Sequence, residues 1–299
     1  LGGAYAVERL VRRAGSAAGL TVCCATDGNH GRSVAWGAAM FGARAVIFIH
    51  ATVSEGRRRA IEAYGADVIR TAGNYDDSVR EAEATAAREG WQVVSDTSYP
   101  GYMDVPKDVM QGYETMAAEA FDRLDAPPTY LFLQTGVGGM AAAVAGLAKR
   151  RWGATRPTVV LADPVRAACW AESMRAGAPV AIAGDIDTMM AGLACGEVSL
   201  LAWEILKDHA DAVVTVEDAA AAEMMRMLAR PAAGDPPVVA GESAVAGLCA
   251  LQSAMADADM RRALGLGAES RVLVFGTEGA TDPDLYRQIV DPEAGSPRP

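Results

Sequence analysis

The chain has 299 residues, 51% hydrophobic and 22% charged, with a formal net charge of −11. That length and composition suit one large or two smaller soluble α/β units with sizeable cores. The acidic balance argues against a nucleic-acid partner, which needs clustered Lys and Arg, and no apolar run is long enough and charge-free enough to span a bilayer. Five scattered cysteines make no disulfide framework, which is read as a cytosolic protein.

The chain opens inside a helical pattern, Gly2 to Val11, with no cap or strand before it and no Met at position 1. Upstream sequence is therefore expected. Leu20–Ala25 reads as a buried strand, with Cys23 and Cys24 in the core, and Ser33–Gly42 as a helix. Between them lies Thr26-Asp27-Gly28-Asn29-His30-Gly31. Its glycines let a ligand approach the backbone, and the following helix offers amides. Asn29 adds a neutral amide and Asp27 a carboxylate, a layout suited to an anionic aromatic cofactor beside an ionisable amine. As a bare pattern, this is also an ordinary strand-to-helix turn.

Next come a strand at Ala45–Ile49 and a helix capped by Ser54 that runs to Tyr64. The Arg57-Arg58-Arg59 run within it reads as a solvated face. Strand Asp67–Thr71, helix Asp76–Glu89 and strand Trp91–Ser95 follow. Asp96, in Ser95-Asp96-Thr97, stands at the carboxyl end of a strand, where α/β sheets place ligands. It is a general-base candidate, or else the cap of the next turn. Tyr99–Pro106 reads as a loop, and a helix runs from about Asp108 to Arg123.

The rhythm then resumes with strand Thr129–Gln134, the glycine loop Thr135–Gly139 and a helix to Arg151. Gly136, Val137, Gly138 and Gly139 can converge amides on a phosphate at a helix N-terminus. Gly136, Gly138 and Ala141 also fit a dinucleotide fingerprint, with Asp163 closing the next strand. Strands at Thr158–Ala162, Ala212–Val216 and Arg271–Phe275 and helices at Ala219–Ala229 and Ser243–Met255 complete the pattern. Gly276-Thr277-Glu278-Gly279 follows the last strand, where the Thr277 hydroxyl could face a ring nitrogen. A short helix from Pro283 leads into a tail, 291–299, expected to be disordered. The alternation implies mostly parallel sheets with helices on both faces. No internal repeat is visible. The three histidines are dispersed, and no metal-ligand spacing occurs.

Taken in order, these stretches, together with Leu1–Ala6, Asn74–Asp77, Met110–Tyr113 and Met190–Glu197, resemble the fold-type II pyridoxal-phosphate enzymes, and within them the diaminopropionate ammonia-lyases. The resemblance implies two α/β subdomains with the cofactor in the cleft between them. Residues 20–97 would form a small mobile subdomain, and 1–19 with 98–290 the large one. It implies that Asn29 bonds the cofactor's ring hydroxyl, that Gly136, Val137, Gly138 and Gly139 cradle its phosphate, and that Thr277 meets the pyridine nitrogen. Asp96 and Asp27 would be the bases for the L and D isomers of a small amino-acid substrate, which loses its β-amine and ends as pyruvate and two ammonia. A homodimer is implied as well. The family's Schiff-base lysine would stand just before Leu1, and Lys107, Lys149 and Lys207 do not replace it. Serine or threonine dehydration on the same fold, and a binding homologue that lacks the lysine, are the alternatives. Cys169 and Cys195 would flank the entrance and are expected to be reduced.

Overall fold

The structure is a computed structural model, and it describes residues 1–26, 28–73, 75–182, 184, 186–232 and 234–291, without the side chain of Asp76. The expected tail at 292–299 lies outside the described residues. The chain forms two compact units, Leu1–Met116 and Ala117–Pro299.

The first unit contains α1 (Gly2–Ala14), β1 (Thr21–Ala25), α2 (Asn29–Phe41), β2 (Arg44–Ile49), α3 (Glu55–Glu62), β3 (Asp67–Arg70), α4 (Tyr75–Glu89) and β4 (Gln92–Val93), and α5 (Asp104–Asp122) begins there. Its sheet has the order β3-β2-β1-β4 with every pair parallel. Parallel strands are covered on both faces, which explains the continuous apolar runs. Val22, Cys24, Ile47 and Ile49 pack with Val7, Val34 and Ile61 on one side. Cys23, Val46 and Phe48 pack with Ala82 and Ala86 of α4 on the other. Ser54 caps α3 as expected, its Oγ accepting from the Arg57 amide at 3.2 Å. The solvated-face reading of the arginine run fails at Arg57, which is only 5% exposed.

Helix α1 belongs to this unit because α2 holds it, whereas the sequence expectation grouped residues 1–19 with the larger subdomain. The two helices meet through small residues: a Cβ on Gly37 would lie 2.5 Å from the Ala4 Cα. Ser33 Oγ of α2 also accepts from the Ala4 amide at 3.1 Å, satisfying a first-turn donor that α1 leaves open. Helix α5 starts four residues earlier than expected and contains Pro106 in its first turn. A proline is tolerated there because the amide it lacks has no intrahelical acceptor.

The second unit contains β5 (Tyr130–Gln134), α6 (Gly139–Trp152), β6 (Thr158–Pro164), α7 (Cys169–Ala176), α8 (Leu200–His209), β7 (Ala212–Val216), α9 (Asp218–Ala229), α10 (Ala246–Ala256), α11 (Ala258–Leu264), β8 (Val272–Val274) and α12 (Pro283–Val290). Its sheet runs β7-β6-β5-β8, again all parallel. Phe132, Val160 and Ala162 pack on Met224, Ala246 and Ala250 of α9 and α10. Helix α10 begins at Ala246 rather than Ser243, whose amide donates to Glu278 Oε2 at 2.8 Å. Helices α7, α8 and α11 had no expectation from the sequence.

The two sheets share one order: third strand, second, first, fourth. In each, the chain steps outward from the first strand and then returns to that strand's other side. The point of reversal leaves a crevice at the carboxyl ends of β1 and β4, and another at those of β5 and β8. No helix among the described residues is long and apolar enough to cross a membrane.

The α1–α2 contact yields a stability prediction. Helix propensity alone favours alanine over glycine by up to about 1 kcal/mol. A methyl group at Gly37 must instead push the Ala4 backbone away, and overpacking of this kind costs about 1–3 kcal/mol. Gly37→Ala should therefore lower the urea midpoint at unchanged slope. A raised midpoint would show that the helices separate without cost.

Candidate cofactor and active site

In the first unit, the turn after β1 is tied down by Thr26, whose Oγ1 accepts from the amides of Gly28 at 3.1 Å and Gly31 at 3.4 Å. A Cβ on Gly28 would sit 2.9 Å from Nη1 of the buried Arg57, so glycine is what admits that guanidinium. Asn29 opens α2 and is half-buried. Asp27 lies outside the described residues.

Asp96 follows the neighbouring strand β4, and the strand pairing brings the two loops side by side. The turn beyond β4 is closed without the Asp96 carboxylate. Ser95 Oγ accepts from the Thr97 amide at 3.1 Å, and the Ser95 amide donates to Tyr102 Oη at 3.0 Å. Asp96 Oδ2 instead lies 3.9 Å from His30 Nδ1. Tyr113 and Cys24 both sense it. Burial is the main cause that pushes the phenol and the thiol well up, and the Asp96 charge adds to the effect. Both groups therefore stay neutral beside the carboxylate.

In the second unit, the loop after β5 is built around a fully buried carboxyl. Asp163 Oδ2 accepts from the amides of Trp170 at 2.8 Å and Ala171 at 3.0 Å, and Oδ1 lies 2.8 Å from Thr135 Oγ1. Trp170 Nε1 in turn donates to the Gly136 carbonyl at 2.9 Å. Burial raises the Asp163 carboxyl to about 7, against the opposing pull of those hydrogen bonds. The dinucleotide alternative ends here, because a carboxyl held inside the fold by two amides and a hydroxyl has no reach to a ribose. Gly138 has φ 94, a left-handed conformation that glycine adopts readily, and a Cβ there would lie 2.1 Å from Trp170 Cζ2. As the N-cap of α6 it has no side chain to cap the helix. The first-turn amides are thus presented to an outside acceptor.

Across the same crevice stand Thr277 and Gln134. The Gln134 amide nitrogen donates to the Phe275 carbonyl at 2.7 Å and to Thr277 Oγ1 at 3.1 Å. A carbonyl only accepts, so the nitrogen must face it, and both amide hydrogens are used. The Thr277 oxygen is then an acceptor toward Gln134, which leaves its own hydrogen to donate outward. Glu278 secures the next loop, accepting from Ser243 at Oε2, while Ser243 Oγ accepts from the Gly192 amide at 3.0 Å. None of the five cysteines is in a disulfide. The Cys169 thiol is pushed up chiefly by burial and lies near the Gly136 carbonyl.

In the second unit, uncapped helix amides stand behind a glycine loop and a threonine hydroxyl has a hydrogen to donate, and each unit's parallel sheet carries loops at its own point of reversal. The chain belongs to the pyridoxal-phosphate dependent enzyme family, whose model matches residues 1–278. Within that family it is similar to the diaminopropionate ammonia-lyase of Salmonella typhimurium, with 40% identity over 89% of this chain and 68% of that one. The Escherichia coli diaminopropionate ammonia-lyase is 38% identical over 97% of this chain and 78% of its own. The crystal structure of that E. coli enzyme in complex with an aminoacrylate–pyridoxal-phosphate azomethine reaction intermediate superposes with TM-score 0.90 at 37% identity, covering 97% of this chain and 78% of the other. Pyridoxal 5'-phosphate is accordingly the cofactor, and the residues present fit it.

Two measurements probe the glycine loop. Gly138→Ala must displace Trp170 or twist the loop, so cofactor affinity, titrated by absorbance, should fall at least about tenfold, equivalent to about 1.4 kcal/mol. Unchanged affinity would dissociate the loop from phosphate binding. Asp163 has a folded pKa above its unfolded one, so the native state binds the extra proton between about pH 4 and pH 7, and the Asp163 contribution to stability falls as pH rises through that window. Asp163→Asn keeps an acceptor for the two amides and a donor for Thr135. It should remove that part of the slope in a pH series of denaturation midpoints, and a slope identical to that of the unsubstituted protein would refute the assignment.

Proposed function

We propose that this enzyme eliminates ammonia from 2,3-diaminopropionate, giving pyruvate and two ammonia. The observation that carries the reaction type is the Gln134–Thr277 pair, since a ring nitrogen that receives a hydroxyl hydrogen remains unprotonated. Such a ring is a moderate electron sink, which favours loss of a β-substituent over transamination. The substrate follows from the names of the relatives at 40% and 38% identity.

In this reading pyridoxal phosphate, when bound, supplies the electron sink that acidifies the substrate's α-C–H bond. Gly136, Val137, Gly138 and Gly139 hold its phosphate, Thr277 donates to its ring nitrogen, and Asn29 bonds its ring hydroxyl. Asp96 takes the α-proton of the L isomer and Asp27 that of the D isomer. Neutral Tyr113 and Cys24 add no negative charge beside Asp96. The enzyme is further proposed to be a cytoplasmic homodimer, its cysteines kept as thiols.

The test is a panel of D- and L-2,3-diaminopropionate, serine and threonine offered to the holoenzyme, with keto acid and ammonia both counted. Two ammonia per pyruvate from either isomer of diaminopropionate is the expected result. Release of 2-oxobutanoate from threonine without turnover of diaminopropionate would replace this reading with a dehydratase.

A further inference from the structure

We propose that His30 is the proton partner of Asp96, positioned to receive at Nδ1 the proton that Asp96 takes from the L substrate. The inference rests on the reading of Asp96 as the base for that isomer.

The geometry fixes the imidazole's chemistry. His30 Nε2 lies 2.7 Å from the Val94 carbonyl. That carbonyl can only accept, so Nε2 carries hydrogen, and in the neutral ring Nδ1 carries the lone pair. Val94 is itself anchored to the β1 edge, its amide donating to the Cys23 carbonyl at 2.8 Å, so the acceptor that orients the ring is part of the sheet. Nδ1 is buried and has no hydrogen-bond partner among the described residues. A buried acceptor left unmade is unfavourable, and most such atoms in proteins are satisfied. The group it faces is the Asp96 carboxylate, 3.9 Å away. The His30 side chain is 9% exposed and that of Asp96 30%, so the carboxylate is the member that meets substrate and the imidazole stands behind it.

At 3.9 Å the pair is not hydrogen-bonded while Asp96 is ionised and the ring neutral, since both atoms are then acceptors. Protonation of Asp96 changes this. Once the substrate's C–H bond breaks, its electron pair stays on carbon and an O–H bond forms on Asp96, giving the carboxyl a donor. A small rotation of the side chain then directs that donor at Nδ1. Transfer breaks the O–H bond, forms Nδ1–H, and leaves an imidazolium beside a carboxylate. The proton returns to water on product release. Among the described residues, the other titratable groups that sense Asp96 are Cys24 on β1 and Tyr113 on α5, and burial keeps both protonated, so neither competes as a proton acceptor.

Two experiments test the pairing. The first uses the cofactor-free protein and nitrogen-edited imidazole spectra. With three histidines there are three ring systems, and His30→Gln identifies the one that belongs to His30. The expected neutral tautomer is protonated at Nε2, with an Nδ1 resonance that moves in Asp96→Asn. A ring protonated at Nδ1 instead, or an Nδ1 resonance indifferent to Asp96→Asn, would overturn the proposal. The second uses the holoenzyme and both isomers. His30→Gln retains an amide donor for Val94 but accepts no proton. It should lower kcat for L-diaminopropionate by about tenfold or more with little change in KM, a modest share of what acid–base groups contribute. The D isomer, served by Asp27, should be affected far less and reports that fold and cofactor are intact. Equal losses on both isomers would mean a structural role only. If Asp96→Asn itself spares the L isomer, the reading of Asp96 as base fails. If Asp96→Asn abolishes L turnover and His30→Gln does not, only the partnership fails.

Discussion

The candidate site residues of both units hang on where the strand order reverses. In each sheet the first strand is flanked on both sides by later ones, so the chain arrives at one spot twice, first directly after the strand and again near the end of the unit. Backbone pairing does the assembly: β1 with β4 brings Asn29 and His30 to Asp96, and β5 with β8 brings the glycine loop to Thr277. These neighbours lie 60 to 140 residues apart in sequence, yet parallel registry sets their separation to a strand's width.

The polar groups in both crevices are arranged so that few charges are buried unopposed. A fully buried carboxyl at Asp163 is tolerated because it accepts two amides and adjoins a hydroxyl, and because its proton is retained into the neutral range. The phenol of Tyr113 and the thiols of Cys24 and Cys169 are neutral for the same reason, desolvation. The carboxylate assigned to chemistry, Asp96, keeps partial access to solvent. Asp163 and Asp96, two residues of one type, thus differ in exposure, the first fully buried and the second 30% exposed.

Much of this was legible in the residues. The β-α alternation gave nearly every strand within one or two residues, because parallel strands buried on both faces show as uninterrupted apolar runs. The glycine loop and the turn after β1 were visible as strand–glycine–helix junctions. Other features were hidden for physical reasons. Gln134 ends an apolar strand, and its polarity was a signal, but its partners lie more than 140 residues downstream. Arg57 looked like one of three surface arginines, and only the tertiary fold shows it drawn inward against Gly28. The roles of Trp170 and Asp163 depend on α7, a short helix without a strong pattern of its own. The common order of the two sheets left no trace as a sequence repeat, since topology constrains burial and not identity.

The Trp170 indole, fully buried, touches the glycine loop from behind, hydrogen-bonded to Gly136 and pressed against Gly138, with Trp203 at 6.2 Å between ring centroids. The loop proposed to receive the phosphate is therefore also the wall of an indole's environment. A cofactor held by that loop would stand beside this tryptophan pair, whose emission would then gauge cofactor loading without substrate and without a label.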